Sequence, residues 1–260
     1  FRDEDGRADR SPGEHYQLDM EMSFVDQDDV FKTVEPIFFK LFTEFGKGKN
    51  VSKTPFKKIT YKSSMLKYGT DKPDLRNPIE IFDVTEIMNR EDVKLDIFKK
   101  SIANGSIVRA IPAPKTSSKP RSFFDKYNNW AKEEGAKGLG YITVEKIKGK
   151  IFGKGPIAKL FSEKAMNELI KVCNLKESDS VFFSCDTQKN VEKISGLARQ
   201  KLGLELNLID SKRFEFCWIV DFPMYRYDEK EKKIDFSHNP FSMPQVNPSC
   251  LLYTSDAADE

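Results

Sequence analysis

Histidine and cysteine are scarce in this sequence, and their positions exclude several kinds of site. The 260 residues include two histidines, His15 and His238, too few for a multi-histidine metal site. The four cysteines stand far apart without a C-x-x-C pair, which argues against a zinc ribbon or a disulfide framework and favours a reducing compartment. No apolar run approaches the ~18 residues that a membrane helix needs. The enzymes that remain are those that work with carboxylates, arginines and backbone groups.

A strong charge excess is also absent. The 43 Lys and Arg residues nearly balance the 41 Asp and Glu residues, and the formal charge of +2 indicates no particular partner. Charged residues make up 32% of the chain and hydrophobic residues 38%, which is typical of a globular protein with one large domain or two modest ones.

Both ends of the sequence are unusual for a complete protein. The chain begins with Phe1 inside a charged run, and residues 250–260 follow a proline-rich segment without continuing any periodicity. We therefore expect an internal fragment, and we interpret residues 250–260 as a foreign tail.

Residues 16–25 alternate between apolar and polar side chains, which predicts a β-strand. Period two places Gln17, Asp19 and Glu21 in one row above an apolar face. Two interpretations stay open: a half-solvated antiparallel strand, and a polar row that binds an ammonium or guanidinium group.

Upstream, residues 1–13 interleave arginines with acidic residues and contain glycine and proline, which indicates a loop that turns into this strand. Such a run is usually a solvated hairpin. A phosphate-binding loop is the alternative, because the planar guanidinium of arginine suits phosphate oxygens.

Apolar residues at helical spacing predict a helix that includes Val30 and Phe45, with Asp26 as N-cap and Gly46 as the stop. Pro36 lies within the pattern, so we expect a kink or a later start. The aromatic stripe of this helix is expected in the core. The lysine-rich stretch at 40–72 is either solvated surface or a surface that faces a polyanion.

The sequence changes character at 95–115, where turn-rich segments at 103–106 and 112–118 indicate a boundary. Beyond it we predict a compact α+β module with an interaction or spacer role. It consists of a helix at 123–131 capped by Ser122 and ended by Gly135, a strand at 139–144, a helix at 165–173 opened by Ser162, a strand at 181–185, and a helix at 191–202 closed by Gly203.

The last part of the chain is predicted to form a hairpin. A buried strand at 216–222 is broken by Pro223, and a polar turn leads to a second strand at 234–236. His238 and Asn239 follow at the strand end. They are either surface residues or ligand contacts held in place by Pro240.

Several blocks of the chain closely resemble, in order, those of the bacterial aspartyl-tRNA synthetases. The first resembles the second signature motif of that family. The blocks are FRDEDGRADR at 1–10 with YQLDMEMSF at 16–24, YGTDKPDLRNP at 68–78, GAKGL at 135–139, KGPIAK at 154–159 and WIVDFPM at 218–224. The resemblance covers residues 1 to about 249.

The resemblance implies an α+β fold, the antiparallel-sheet catalytic core of class II synthetases interrupted by an inserted α+β domain. The implied division is catalytic core at 1–94, bacterial insertion domain at 95–210 and resumed core at 211–249. We expect residues 95–210 to fold alone.

The implied reaction joins L-aspartate to ATP and then passes the aspartyl group to the 3′ end of tRNA-Asp. By the resemblance, Arg2 contacts the ATP α-phosphate and the aspartate carboxylate, and Glu4 helps to hold the nucleotide. Gln17 approaches the substrate carboxylate, Asp19 orders the aspartate pocket through a lysine upstream of this chain, and His238 contacts the substrate.

Other implied features follow from the same resemblance. Asp3 joins the ATP site, and Glu21, Asn239 and Ser11 are supporting candidates. Mg²⁺ would arrive with ATP and find its protein ligands outside this chain. The implied full-length enzyme is a cytoplasmic homodimer without a membrane segment, and we expect the 260-residue polypeptide to be inactive by itself.

Some positions depart from the family pattern. Asn239 stands where a second histidine is common, and Ser11 replaces a glutamine that often touches ATP. These variants resemble an alphaproteobacterial subgroup that often charges tRNA-Asn as well as tRNA-Asp.

Two other functions remain open. One is a tRNA-independent class II relative such as asparagine synthetase, against which the inserted domain argues. The other is a non-catalytic synthetase-like binding protein. The retained residues Arg2, Glu4, Gln17, Asp19 and His238 argue against it.

Overall fold

The structure is a computed structural model that describes residues 1–3, 6, 13–147, 149–228 and 231–237. Its backbone contacts divide the chain into two units, residues 1–56 and 57–260, and each is described by itself. None of the helices in this described part of the chain combines the length and the apolar character that crossing a bilayer requires.

The first unit consists of short strands and one long helix. Its elements are β1 (Arg2–Asp3), β2 (Glu14–His15), α1 (Gln27–Phe45) and β3 (Asn50–Val51). The antiparallel pair β1–β2 shows that the first residues form a hairpin, and this pairing is compatible with both a solvated and a phosphate-binding hairpin.

Helix α1 begins and ends where the sequence predicts. The Asp26 carboxylate accepts the Asp29 N–H at 3.0 Å, and the Asp26 N–H donates to the Asp29 carboxylate at 3.2 Å, which forms a capping box. Gly46 is the C-cap. The helix runs through Pro36, so the alternative of a later start is wrong.

The prediction that the aromatic stripe of α1 lies in a core is wrong for this chain. Phe38, Phe39 and Phe45 are exposed, and Phe45 shows 69% of its surface. The Phe38 and Phe42 rings stack on each other with centroids 6.4 Å apart, as residues four apart on a helix can. The apolar face of a helix is buried only when a second apolar surface packs against it.

The strand predicted at 16–25 is also wrong. These residues are all described, and they form no strand. Tyr16 and Leu18 are 88% and 89% exposed, and Phe24 has a φ of 57° in the left-handed region. The alternation of apolar and polar residues indicates which side chains would share a face, but a strand also needs a hydrogen-bonded neighbouring strand.

The second unit contains an α+β body and several flanking elements. Its elements are β4 (Lys57–Thr60), α2 (Tyr61–Tyr68), β5 (Phe82–Asp83), α3 (Thr85–Asn89), α4 (Asp96–Ala103), β6 (Ile107–Ala113), α5 (Arg121–Glu133), β7 (Gly140–Ile147), β8 (Lys150–Lys154), a 3₁₀ turn (Ala158–Leu160), α6 (Glu163–Val172), β9 (Ser180–Asp186), α7 (Gln188–Glu205), β10 (Arg213–Phe214), β11 (Cys217–Val220), β12 (Tyr225–Asp228) and β13 (Lys233–Phe236).

The body is an antiparallel sheet of five strands in the order β5-β6-β9-β7-β8, with helices on both faces. Alternation along β9 separates two cores, because Val181 and Phe183 join one and Phe182 joins the other. The first core is covered by α3, α4 and α6, and the second by α5 and α7. This agrees with the mixed α+β class that the sequence predicts.

Strand β6 continues to Ala113 and so includes Pro112, the first residue of the predicted turn-rich segment at 112–118, and the turn itself follows at 114–115. The Val108 N–H donates to Thr85 Oγ1 at 2.8 Å, and the Val108 carbonyl accepts the Val84 N–H at 3.0 Å, so both groups face away from β9. Alternate residues of a strand direct their backbone N–H groups to the same side, so the Pro112 nitrogen points the same way as the Val108 N–H. Among the described residues β5 pairs only with Arg109 and Ala110, so Pro112 needs no N–H on that side.

Two predicted helix ends require correction and one is confirmed. Helix α5 begins at Arg121 with Pro120 as its N-cap, so Ser122 lies inside the first turn. Helix α7 continues past Gly203 to Glu205, and the side chain of Asn77 lies where a Cβ on Gly203 would stand. Ser162 caps α6 as predicted, with its Oγ accepting the Ala165 N–H at 3.0 Å.

The predicted hairpin is partly right. Strand β13 pairs antiparallel with β12, and β11 pairs in parallel with β4 instead. The first strand of the hairpin therefore lies after Pro223 rather than before it.

The body extends further toward the N-terminus than the boundary predicted at residue 95. Strand β5 is the edge of its sheet, and Val84, which is the N-cap of α3, joins Ile87 and Met88 of α3 in the first core. The division into catalytic core and inserted domain stays a prediction.

We predict that a polypeptide of residues 61–210 is more stable than one of residues 95–210 by at least about 3 kcal/mol. The shorter piece loses seven buried apolar side chains, Tyr68, Ile79, Ile81, Val84, Ile87, Met88 and Val93. Urea unfolding of both pieces, followed by circular dichroism, measures the difference. Equal free energies of unfolding would contradict the packing described here.

Candidate functional site

The hairpin β1–β2 holds the beginning of the predicted nucleotide site. Its register places Arg2 opposite His15 and Asp3 opposite Glu14. Arg2 is described through its backbone only, and Glu4 and Ser11 lie outside the described residues.

The predicted aspartate-binding residues Gln17, Asp19 and Glu21 lie on the exposed segment that follows β2. The Gln17 side-chain amide donates a hydrogen bond to the Asp19 carboxylate, so these two groups lie on one side of the chain. The pairing of an amide and a carboxylate two residues apart agrees with the predicted row, although the strand is absent. Glu21 is exposed as well.

His238 and Asn239 lie outside the described residues, directly after the hairpin β12–β13. Two hydrogen bonds join the described end of that hairpin to the residues before β12. The Ser237 N–H donates to the Met224 carbonyl at 2.9 Å, and the Ser237 hydroxyl donates to the Pro223 carbonyl.

The described residues contain no group of three or more His, Cys, Asp or Glu side chains that could hold a metal ion. Cys173, Cys185 and Cys217 are free thiols. Burial raises the pKa of the Cys173 thiol to about 12, so this thiol is not suited to act as a nucleophile near pH 7.

The block at 68–78 is held against α7 by a buried arginine. Arg199 is 1% exposed, and its guanidinium donates to the carbonyls of Ile79 at 2.6 Å, Asn77 at 2.8 Å and Asp74 at 2.9 Å. It also lies over the Tyr68 ring, 4.8 Å from the centroid. Burial lowers the pKa of Arg199, but an arginine remains protonated in a protein.

Asn77 and two glycines complete this contact, which we call the Arg199 clamp. The Asn77 amide donates to the Arg199 carbonyl at 2.9 Å, and its oxygen accepts the Ile79 N–H at 3.1 Å. A Cβ on Gly69 would stand 2.6 Å from the Gly196 Cα, so both glycines allow the α2 end and α7 to touch through their backbones.

One ion pair lies on the surface of the same block. The Asp74 carboxylate accepts from Arg76 Nε at 2.9 Å and from Nη2 at 2.8 Å. The hydrogen bonds from Arg76 hold the pKa of Asp74 below its usual value.

Sequence reasoning missed the Arg199 clamp because it assigned the α+β module a spacer role. A signal was present: Arg199 stands on the apolar stripe of α7, next to Ala198 and four residues from buried Ser195. A charged residue on a buried helix face needs partners from another segment.

We predict that Arg199→Met lowers the free energy of unfolding by roughly 2–4 kcal/mol, because it leaves three buried carbonyls without donors. Arg76→Met is the matched control, and its half-exposed ion pair should cost no more than ~1 kcal/mol. Urea unfolding of the 260-residue chain, followed by tryptophan fluorescence, compares them. Equal losses for the two variants would contradict the clamp.

The chain matches a known protein family along nearly its whole length. A family model described as tRNA synthetases class II (D, K and N) matches residues 1–257. The chain is 54% identical over 245 residues to the Aspartate--tRNA(Asp/Asn) ligase of Beijerinckia indica subsp. indica, covering 94% of this chain and 41% of that protein.

Two further relatives carry the same name. The protein of Methylocella silvestris is 56% identical over 248 residues, covering 95% of this chain and 39% of the relative. The protein of Pelagibacter ubique is 53% identical over 245 residues, covering 94% and 41%. The chain thus spans about two fifths of the length of these curated relatives. Since the family model matches nearly the whole sequence, the chain belongs to the class II tRNA synthetases of the D, K and N group.

Proposed function

We propose that this chain is part of an aspartate–tRNA ligase that forms aspartyl-adenylate from L-aspartate and ATP and transfers the aspartyl group to tRNA. The observation that carries the proposal is the 54% identity to an Aspartate--tRNA(Asp/Asn) ligase over 94% of the chain. The names of the relatives also support the tRNA-Asp/Asn form, and they do not favour asparagine synthetase.

The chemistry of activation suits the side chains of this sequence. The aspartate carboxylate is already ionised at pH 7, so its attack on the α-phosphorus of ATP needs no general base. The obstacle is the approach of two anions and the charge that develops on the phosphoryl oxygens. In the proposal, Arg2 holds the α-phosphate and the attacking carboxylate together, and Asp3 and Glu4 help to position the nucleotide.

The segment after β2 supplies the amino-acid side of the site. Gln17 approaches the carboxylate of the substrate, and Asp19, which accepts a hydrogen bond from Gln17, orders the pocket. Glu21 supports this row. His238 contacts the substrate from the other part of the chain, with Asn239 and Ser11 as further supporting residues.

The remaining parts of the proposal concern the whole enzyme. ATP is a substrate, and Mg²⁺ comes with it and takes its protein ligands from outside this chain. The complete enzyme is proposed to be a homodimer, to act in the cytoplasm, and to charge tRNA-Asp and tRNA-Asn.

The proposal can be tested with a chimaera in which residues 1–249 replace the matching segment of the Beijerinckia indica relative. We expect aspartate-dependent ATP–pyrophosphate exchange by the chimaera, measured with radiolabelled pyrophosphate. A folded chimaera that shows no exchange would reject the proposed function and favour the non-catalytic synthetase-like binding protein.

We predict that Arg2→Ala slows single-turnover adenylate formation by the chimaera about 10²–10³-fold, because it removes a donor aimed at transition-state charge. Arg2→Lys should also form the adenylate more slowly than the parent, since lysine keeps the charge but loses the bidentate geometry of the guanidinium. The melting temperature should stay unchanged, as expected for an arginine in a highly charged run of the sequence.

Arg121→Ala is the matched control, because Arg121 is an exposed arginine whose partner is Asp125 on the same helix. It should leave the rate unchanged. An Arg2→Ala chimaera that activates aspartate at the parental rate would remove Arg2 from the catalytic assignment.

A further inference from the structure

A contact between two aromatic rings continues the hairpin β1–β2 beyond its paired residues. Within the described part of the chain, the pairing at this end of the hairpin stops at Arg2 and His15. The next two residues outward are Phe1 and Tyr16, and their rings meet edge to face with centroids 5.7 Å apart and an interplanar angle of 73°. Aromatic side chains favour this arrangement. We call this contact the Phe1–Tyr16 pair.

The Phe1–Tyr16 pair lies on the surface. Phe1 is 72% exposed, and Tyr16 is exposed as well. Replacing either ring therefore removes the contact without opening a buried cavity. What the pair contributes is the position of residue 16, which it holds next to residue 1.

The pair lies on the opposite face of the hairpin from Arg2. Directly opposed residues share a face, so Phe1 and Tyr16 occupy one face, and the Arg2 position shares the other with His15. The ring contact shows that residue 16 still keeps to the Phe1 face. Because consecutive residues of an extended chain alternate between faces, Gln17 belongs to the face of Arg2 and His15.

The spacing of Arg2 and Gln17 suits their proposed roles at the substrate carboxylate. They are diagonal neighbours on one face, and such positions lie about 7–8 Å apart, within reach of long side chains. Two side chains at this spacing can contact one carboxylate group from two sides.

Only one of these two residues is held by strand pairing. The backbone of Arg2 belongs to β1, whereas Gln17 lies beyond the end of β2 at His15. The hydrogen bond from Gln17 to Asp19 joins two residues of the same segment, so it does not connect Gln17 to β1. The contact that connects this segment to β1 is the Phe1–Tyr16 pair.

We propose that Tyr16 is a positioning residue that acts through Gln17. By packing against Phe1, it holds Gln17 beside Arg2 at the spacing of one shared carboxylate. This inference rests on the proposed function, because it takes L-aspartate as the ligand of Gln17. The proposed ATP contacts belong to β1 and the residues directly after it, so the pair acts on the aspartate side of the site.

The test uses the chimaera and measures ATP–pyrophosphate exchange as a function of aspartate and of ATP concentration. We expect Tyr16→Ala to raise KM for L-aspartate roughly 3–10-fold, which corresponds to the loss of one aromatic pair, and to leave KM for ATP nearly unchanged. Tyr16→Phe keeps the ring contact and should match the parent. Ile97→Ala is the control, because it removes an apolar side chain of α4 that is similarly exposed, and it should change neither KM.

Two further variants identify the residue through which Tyr16 acts. Phe1→Ala removes the other ring of the same contact and should raise KM for aspartate by a similar factor. In a Gln17→Ala background, Tyr16→Ala should have no further effect, because substitutions that act through one contact are not additive.

Three outcomes would overturn the inference: equal increases of KM for aspartate and for ATP, a Tyr16→Phe variant as impaired as Tyr16→Ala, or additive effects of Tyr16→Ala and Gln17→Ala. The first would indicate general damage to the hairpin, and the second a direct role for the Tyr16 hydroxyl. Failure of the proposed function is distinguished from these outcomes, because the parent chimaera would then show no exchange, whereas each of the three is measured against an active parent.

Discussion

The buried guanidinium of Arg199 is the interaction on which the second unit depends most. A charge that is removed from water needs nearly complete hydrogen bonding. Arg199 obtains it from three carbonyls of residues 74–79 and from the face of the Tyr68 ring. These partners all precede the sheet in sequence, so the arginine fixes the family block at 68–78 onto the longest helix of the body. The second hydrophobic core relies on that attachment, because it includes Ile79 and Ile81.

The elements that the sequence predicts well are those with local causes. Asp26 and Ser162 satisfy free N–H groups of the next helical turn, and such a hydrogen bond depends on the residues nearby. The buried strand β9 is likewise recognised from its apolar run. Pairings between distant segments cannot be read in this way. The segment at 16–25 has the right alternation but pairs with no other described segment, while β6 has two paired strands and a proline that suggests an interruption.

The candidate site was predicted from a resemblance, and its geometry follows only in part from local chemistry. Gln17 and Asp19 lie on one side of the chain because extended residues two apart do so, and the hydrogen bond between them follows. The clamp could not be predicted in the same way, because Arg199 meets partners more than 100 residues away. The role of Gly203 could not be predicted locally either. In the sequence it resembles a residue that ends a helix, but in the structure it leaves space for the side chain of Asn77.

Pro112 affects how readily the edge of the sheet can pair with a strand of another molecule. Beyond Ala110 the outer side of β6 is not covered by β5, and an uncovered strand edge can pair with the edge of another molecule. On that side Pro112 has no N–H to offer, so a strand approaching from outside would find its ladder of hydrogen bonds broken. The proline that obscures the strand in the sequence therefore leaves this edge one hydrogen-bond donor short as a template for another strand.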